Sequence, residues 1–411
     1  MAGGKGTRIS SITSDIPKPM IRIGDKPVLE LEIESLKKQG LNDFIITISH
    51  LGYVIQNYFG DGSQFGVKIE YYNEVTPLGN AGALYELKDK LTEDFLLING
   101  DALFDFDVKR FINYHNEKNG LATIFTHPNT HPYDSGLILA DKNNCVEKWL
   151  TKEDERPKYY KNRVNAGIHI LSPKVLDERP NKEKIDLDRN IFKPLCGTGK
   201  MYAYDSTEYV KDMGTPERYN EVGEDYLSGK VARRNLRNKQ KAIFLDRDGI
   251  INKYVGFLRD IDDFELNENV TEAIRRINDS DYLAIVITNQ PVIARGEVSF
   301  NELDEIHKKM ETLLGENGAY LNAIYFCPHH PDYGFEGEVK ELKIDCDCRK
   351  PKPGMLLKAA EDFNIDLSES FMIGDSDNDI KAGNAAGCKT LKIDTDGDLL
   401  KPVETILENK L

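Results

Sequence analysis

The stretch FLDRDGIIN, residues 244–252, decides how the second half of the chain folds and what it can do. The run KAIFL (241–245) reads as a strand that ends in Asp246, and Asp248 stands two residues on. A carboxylate at a strand end can attack phosphorus, and one two positions on can protonate the leaving oxygen. Acids of an ordinary loop would need no partners downstream, yet partners follow in order. VITNQ (286–290) offers Thr288 at another strand end, with Asn289 and Gln290 beside it. CRKPKPGM (348–355) offers Lys350 to stabilise a phosphorane and Arg349 as a bidentate substrate clamp. MIGDSDND (372–379) offers Asp375 for Mg²⁺.

Working outward, short β-rich apolar runs alternate with helical patterns along the whole chain. DFIITISH (43–50), DFLLINGD (94–101) and LATIFTH (121–127) read as buried strands, and VLELEIESLKKQG (28–40) as a helix closed by glycine. A second series runs from KAIFLDRDG (241–249) through YLAIVITNQ (282–290) and AIYFCPHH (323–330) to FMIGDSDND (371–379). Such alternation implies an α/β fold with mostly parallel sheets. The basic stretch SGKVARRNLRNKQ (228–240) separates the series, so the expected domains are 1–227 and 241–411 with 228–240 as a solvated linker.

The chain has 411 residues, enough for two cores, with 40% hydrophobic and 30% charged residues. A net charge of −15 argues against nucleic acid as a partner. No apolar run nears the ~20 residues of a membrane span, and no signal peptide is visible, so the expectation is a cytoplasmic enzyme with no membrane partner. A homo-oligomer is compatible with this reading. Six cysteines in such a chain suggest a reducing compartment. Cys327, His329, Cys346 and Cys348 have metal spacing, with 16 residues between the two pairs. Three thiolates and one imidazole suit a closed, structural zinc site, with His330 a competing ligand of poorer spacing.

The first half carries a different chemistry. In AGGKGTR (2–8), Gly3, Gly4 and Gly6 let backbone N–H groups approach phosphate, and Thr7 and Arg8 follow. Arg8, with Lys18 of IPKPM (16–20), can neutralise charge on a transferring phosphoryl group. PLGNAGAL (77–84) is a second glycine-rich turn, able to lie against a flat base. Asp101 of NGD (99–101) ends a strand where open α/β sheets bind ligands. Asp212 of VKDMGTPERY (210–219) supplies a second acid that could meet it around Mg²⁺, and VNAGIHIL (164–171) places Asn165 at a strand start.

Together these motifs, across roughly residues 2–225, resemble the sugar-1-phosphate nucleotidylyltransferase family. The resemblance implies a Rossmann-like fold, lacking here its first strand, and attack by a sugar 1-phosphate oxygen on the α-phosphate of an NTP. It implies Arg8 and Lys18 on the triphosphate, Asp101 and Asp212 on Mg²⁺, Gly79 and Gly82 at the base, and Asn165 at the sugar. Lys152 matches the family's sugar-phosphate lysine, while Thr151 replaces the usual glutamate before it. The second half has the four-motif pattern of the haloacid dehalogenase superfamily. Across 241–395 it is similar to the D-glycero-D-manno-heptose 1,7-bisphosphate 7-phosphatase group, with TNQPVIARG (288–296) departing at Pro291 and Val292. That resemblance implies a Rossmannoid fold, Asp246 as nucleophile and Asp248 as acid/base. It puts Thr288 and Lys350 on phosphate, and Mg²⁺ on Asp246, Asp375 and the Asp248 carbonyl. Histidinol-phosphate phosphatases share the zinc pattern.

A 7-phosphatase acting on a heptose 1,7-bisphosphate yields the 1-phosphate that a nucleotidylyltransferase consumes. The expected function is synthesis of a nucleotide-activated heptose, with GTP as donor by resemblance to heptose 1-phosphate guanylyltransferases. The alternatives are a mannose-1-phosphate guanylyltransferase or other sugar-nucleotide enzyme joined to a histidinol-phosphate-type phosphatase, or a phosphatase with an inactive nucleotide-binding module.

One expectation concerns the loop's anchor. The family's glycine-rich loop hangs from an interior strand, and only Met1 precedes it here. Met1 is therefore expected to be internal to a longer native chain, the alternative being a truncation that cripples the first domain. Adding roughly six apolar, β-prone residues ahead of Met1 is expected to raise nucleotidyl transfer by on the order of 10²-fold and to raise the first domain's melting temperature. Equal activity and stability of the two versions, assayed side by side, would reject the missing strand.

Overall fold

The computed structural model describes residues 16–100 and 102–409. The chain divides into two compact units. The first holds the residues up to His127, Gly136–Thr151 and Asn165–Asn235; the second holds Pro128–Ser135, Lys152–Val164 and everything from Leu236 on.

In the first unit a six-stranded sheet runs in the order Met201–Asp205, Ala122–His127, Val164–Leu171, Leu137–Ala140, Val146–Leu150, with Phe95–Ile98 pairing antiparallel to Val164–Leu171. Asp43–Ile48 and Lys68–Asn73 form a separate parallel pair, and Ala102–Asp105 pairs antiparallel with Tyr209–Asp212. Among the described residues no strand joins Asp43–Ile48 to Phe95–Ile98. The glycine-rich loop and Met1 lie outside the described residues.

The second unit is built on one five-stranded, wholly parallel sheet, in the order Ala323–Cys327, Tyr282–Asn289, Lys241–Leu245, Phe371–Gly374, Lys389–Lys392. The central strand is buried on both faces, which is why it reads as an apolar run. Ala242 and Phe244 pack into one core with Leu283, Ile285 and Met372; Ile243 and Leu245 pack into the other with Ile274, Val286 and Ile373. Chain order sends the second and third strands to one side of the central strand and the fourth and fifth to the other. The crevice at the carboxyl ends, where the order reverses, is where such sheets take ligands. Asp246 is the first residue past the central strand there, flanked by Thr288 on one neighbour and Asp375 after the other.

Two segments of the first half belong to this second unit. Backbone groups of 160–162 bond to the helix Phe300–Glu316: the Tyr160 N–H to Thr312 Oγ1 (2.9 Å), the Thr312 hydroxyl to the Tyr160 carbonyl (3.1 Å), and the Asn162 N–H to Glu311 Oε2 (2.6 Å). Asn162 also ties the two segments together, accepting from the Asn129 N–H (3.1 Å) and donating to its carbonyl (2.7 Å). The stretch 228–240, expected as a solvated linker, is packed instead. It carries a short helix, Lys230–Arg233, and buries Val231 and Leu236. Asn235 bonds to Asp105 (2.7 Å) and the Leu236 carbonyl accepts from Asn364 (2.9 Å).

Thr312→Val keeps the shape of the buried helix face but orphans the Tyr160 N–H. The second unit is expected to lose about 1–3 kcal/mol of stability, read as a lower midpoint in chemical unfolding. An unchanged midpoint would mean that segment 152–164 does not lean on this helix.

Candidate active site and metal centre

The carboxyl ends of the central strands gather the groups read from the sequence. Lys350 Nζ lies 2.8 Å from Asp246 Oδ1 and 2.6 Å from Asp379 Oδ1, and it donates to the Ile287 carbonyl (2.8 Å). Carboxylate oxygens of Asp246, Asp375 and Asp379 all lie within 4.8 Å of one another, a set of hard donors able to hold a divalent cation. Asp379 is fixed by its own helix start, where its Oδ2 accepts from Ser376 N (3.0 Å) and Oγ (2.6 Å). Gly249 leaves room for the trio: its φ is +82°, and a Cβ there would meet Asp375 Oδ2 at 2.6 Å. Burial raises the pKa of Asp246, with Asp379 and Asp248 adding like charge against the pull of Lys350. Lys350 is buried too, which favours its neutral form, but Asp246 and Asp379 outweigh that and keep it protonated.

Asp248 is held from three sides. Arg247 grips it with Nη2 at 2.7 Å and Nε at 3.2 Å from Oδ1, Gln290 Nε2 donates to Oδ2 (2.8 Å), and Asn252 Nδ2 to Oδ1 (3.2 Å). Burial alone would raise its pKa, but the Arg247 charge and these hydrogen bonds bring it below the usual carboxylate value. Arg247 is fully buried, and its Nη1 lies 3.4 Å from Nε2 of His307, whose pKa burial and that arginine push down to about 3. A neutral imidazole is the partner a buried guanidinium can tolerate.

Of the residues expected to touch phosphate, Thr288 lines the cavity with Asn289, Gln290, Arg349 and Lys350. The cavity is open and about 200 Å³, with Tyr254, Phe257, Leu258, Pro291 and Val292 along its walls. Asn289 and Gln290 also have scaffold tasks. Asn289 accepts from the Lys350 N–H and donates to its carbonyl, both at 3.0 Å, and Gln290 bridges Asp248 to Thr288 Oγ1 (2.9 Å). Arg349 donates to the His329 carbonyl (3.2 Å). Sequence reasoning missed Asp379, Arg247 and His307. The spacing GDSDND, which puts a second acid one helical turn past Asp375, was a readable signal for the first; nothing in DRD announces that its middle residue is buried.

Cys327, His329, Cys346 and Cys348 converge. Their Sγ and Nδ1 atoms stand 3.2–3.6 Å apart along five edges of a tetrahedron. Four thiolate or imidazole ligands at zinc distances would stand about 3.4–3.8 Å apart, so the set fits such an ion with a slight outward movement. His330 is not part of it; its Nε2 faces Arg295 Nη2 at 3.2 Å.

In the first unit Gly3, Gly4, Gly6, Thr7, Arg8 and Asp101 lie outside the described residues. Lys18 opens a short turn, Lys18–Met20. Strand register sets Asp212 opposite Ala102, the residue after Asp101. The Asp212 carboxylate accepts from Arg218 Nη1 (2.9 Å) and the Gly214 N–H (2.8 Å). Burial works against ionisation, but Arg218, that N–H and Lys18 hold its pKa below the usual value. Gly79 has φ +86°, and a Cβ there would stand 2.3 Å from the Ile185 carbonyl oxygen, so close backbone packing requires it. Gly82 starts the short helix Gly82–Glu86 against Leu78. Asn165 Oδ1 accepts from the Gly167 N–H (3.0 Å) and faces His169 Nε2 (3.0 Å). Lys152 is exposed and begins the segment that packs with the second unit.

The family described as nucleotidyl transferase matches residues 1–229, and one described as HAD-hydrolase-like matches 347–404. A D-glycero-beta-D-manno-heptose-1,7-bisphosphate 7-phosphatase of Haemophilus ducreyi is 43% identical over 152 residues, 37% of this chain and 81% of that protein. A UTP–glucose-1-phosphate uridylyltransferase of Synechocystis is 34% identical over 246 residues, 56% of this chain and 63% of that protein. The solved structure of HddC from Yersinia pseudotuberculosis aligns with 55% of this chain and 96% of its own, at 29% identity and a TM-score of 0.48. Through residues 1–229 the chain belongs to the nucleotidyl transferase family, and its second half makes it an enzyme that joins a nucleotidyltransferase to a HAD-like phosphatase.

Proposed function

We propose that the chain makes a nucleotide-activated heptose in two steps. The phosphatase unit removes the 7-phosphate of D-glycero-D-manno-heptose 1,7-bisphosphate, and the transferase unit passes GMP from GTP to the resulting 1-phosphate. The observation that carries this reading is the pairing itself. A phosphatase half 43% identical to a 1,7-bisphosphate 7-phosphatase would leave the sugar 1-phosphate that a nucleotidyl transferase of this family can use.

In the first step an Asp246 carboxylate oxygen attacks phosphorus and the bond from phosphorus to the sugar O7 breaks. Asp248, which its neighbours hold ionised, relays to that oxygen a proton brought in on the substrate phosphate. Water then attacks the aspartyl phosphate while Asp248 takes its proton, and inorganic phosphate leaves. Lys350 and Thr288 hold the phosphoryl oxygens, and Arg349 reaches the rest of the substrate. Asp246, Asp375 and Asp379, with the Asp248 carbonyl, would hold Mg²⁺, which supplies positive charge to the phosphoryl oxygens. In the second step an oxygen of the sugar 1-phosphate attacks the α-phosphorus of GTP, and pyrophosphate leaves with Arg8 and Lys18 on its charge. Asp101 and Asp212 would hold Mg²⁺ there, and binding it at Asp212 would draw that carboxylate from Arg218. Cys327, His329, Cys346 and Cys348 would hold zinc, which would fix the loop that leads into Arg349 and Lys350. The reaction belongs in the cytoplasm, where both phosphorylated substrates are found.

Mass spectrometry of the products from heptose 1,7-bisphosphate, GTP and Mg²⁺ tests the whole reading. One GDP-heptose, one phosphate and one pyrophosphate per turnover are expected, and a preference for another NTP or sugar phosphate in a parallel panel would replace these substrates. Asp246→Asn is expected to lower phosphate release by on the order of 10³-fold or more while transfer to supplied heptose 1-phosphate survives. Loss of both activities in the folded variant would contradict two separate sites. Elemental analysis is expected to find about one zinc per chain with Zn–S distances of ~2.3 Å. Cys346→Ser should weaken zinc and substrate binding before the core unfolds; metal-free protein with full activity would reject the centre.

A further inference from the structure

We infer that Phe257 is the wall against which the carbon chain of the phosphatase substrate lies, and that Arg295 is the positioning residue that holds it there. The inference rests on the sugar-phosphate reading above and adds the residue that selects the sugar. The floor of the cavity is charged: Asp246, Asp248, Lys350 and Asp375 serve the phosphoryl group. None of these can distinguish one phosphate ester from another, because every ester brings the same phosphate. Discrimination has to come from Arg349 and from the walls, where Tyr254, Phe257, Leu258, Pro291 and Val292 offer carbon surface. Among them Phe257 is a large aromatic left 43% exposed, the flat surface on which the C–H face of a sugar chain stacks.

The ring is fixed from behind. The guanidinium carbon of Arg295 sits 4.1 Å from the Phe257 centroid and 4.5 Å from the Phe335 centroid. Only one edge of that guanidinium meets an imidazole, with Nη2 at 3.2 Å from His330 Nε2, while its Nε is buried with no hydrogen-bond partner among the described residues. A half-buried arginine whose Nε–H is buried and unused is there for its planar faces, which a lysine cannot copy. Phe335 and His330 both belong to the loop between the two halves of the Cys/His centre, and that loop docks beside Arg295 without slack. Gly296 has φ +72°, and a Cβ there would stand 1.9 Å from the Gly337 carbonyl oxygen. The Val339 N–H donates to the Ala294 carbonyl (3.0 Å). The cysteine cluster thus reaches the substrate wall through one stacked cation as well as through Arg349.

The test compares heptose 1,7-bisphosphate with acetyl phosphate, which brings a phosphoryl group and almost no carbon chain. In the full-length enzyme, Arg295→Ala and Arg295→Lys are expected to raise KM for the heptose bisphosphate about tenfold with kcat kept within about twofold. Acetyl phosphate hydrolysis and zinc content should stay as in the parent. Phe257→Ala should raise the same KM by a similar factor, Phe257→Tyr should restore it, and the double variant Arg295→Ala with Phe257→Ala should be no worse than either alone. An unchanged heptose KM in Phe257→Ala, or equal losses on both substrates in the Arg295 variants, overturns the inference. If the Arg295 variants fail to fold or lose zinc, the Phe257→Ala and Phe257→Tyr pair decides. A parent that hydrolyses acetyl phosphate but no heptose bisphosphate overturns the substrate reading itself, which is a different result from a wall that does not matter.

Discussion

The second unit depends on one buried cation between two carboxylates. Lys350 stands 2.8 Å from Asp246 and 2.6 Å from Asp379; Lys350 and Asp379 are buried, and Asp246 keeps 13% of its side chain exposed to the cavity. Removing one partner from such a group costs several kcal/mol, because the remaining charges lose both solvent and counter-charge. The surrounding architecture follows from keeping the three in place. Asp246 is carried by the central strand, Asp379 by the helix start after its neighbour, and Lys350 by a loop that has no regular structure of its own. The strands are rigid through the sheet ladder and the helix start through its capping box. The loop is the weak member, so it receives the most fastening.

That fastening explains the cysteine cluster. Cys346 and Cys348 stand four and two residues before Lys350, and Cys327 ends the strand next to the one that carries Thr288. A metal gripping Cys327, His329, Cys346 and Cys348 would tie the loop to the sheet by bonds that do not fray. Asn289 finishes the task from the other side, with its side-chain amide paired to both backbone groups of Lys350. A covalent-strength anchor beside a catalytic lysine is economical where no second layer of structure covers the site. Precision at an active site is set by what supports the reacting groups.

How much of this was legible depended on whether a residue's task is local or tertiary. The strand ending in Asp246, the acids of DRD, and the Cys-x-His and Cys-x-Cys pairs all act through spacing along the chain, and spacing is written in the sequence. Asp379 acts through its distance to Lys350, which sequence order hides, although its offset from Asp375 hinted at it. Arg247 was unreadable, since an arginine between two exposed-looking acids gives no sign that it is fully buried against His307. In the first half the close packing of Gly79 on the Ile185 backbone is a contact made across more than a hundred residues, which the pattern PLGNAGAL does not announce. Segments 128–135 and 152–164 were read as part of the first fold because they lie inside its sequence; hydrogen bonds to the helix Phe300–Glu316 place them otherwise.

Net charge is the last constraint, and its sign opposes the chemistry. The chain carries −15 formal charges, yet its substrates under the reading above are polyanions. The long-range field of an acidic protein repels them only weakly, since exposed charges are screened within about 8 Å at physiological salt. What acts on a bound phosphoryl group is the handful of charges within that distance and out of water. Around the phosphatase cavity the cations are the buried Lys350 and Arg247 and the half-buried Arg349 and Arg295. The four cations have different tasks that the same charge serves. Lys350 offsets Asp246 and Asp379, Arg247 orients Asp248, Arg349 braces the loop through the His329 carbonyl, and Arg295 presents flat faces to two rings. Lys350 and Arg247 are matched by Asp246, Asp379 and Asp248, so the positive charge there is offset until a phosphate enters with its cation. An overall acidic surface then costs the enzyme little in binding.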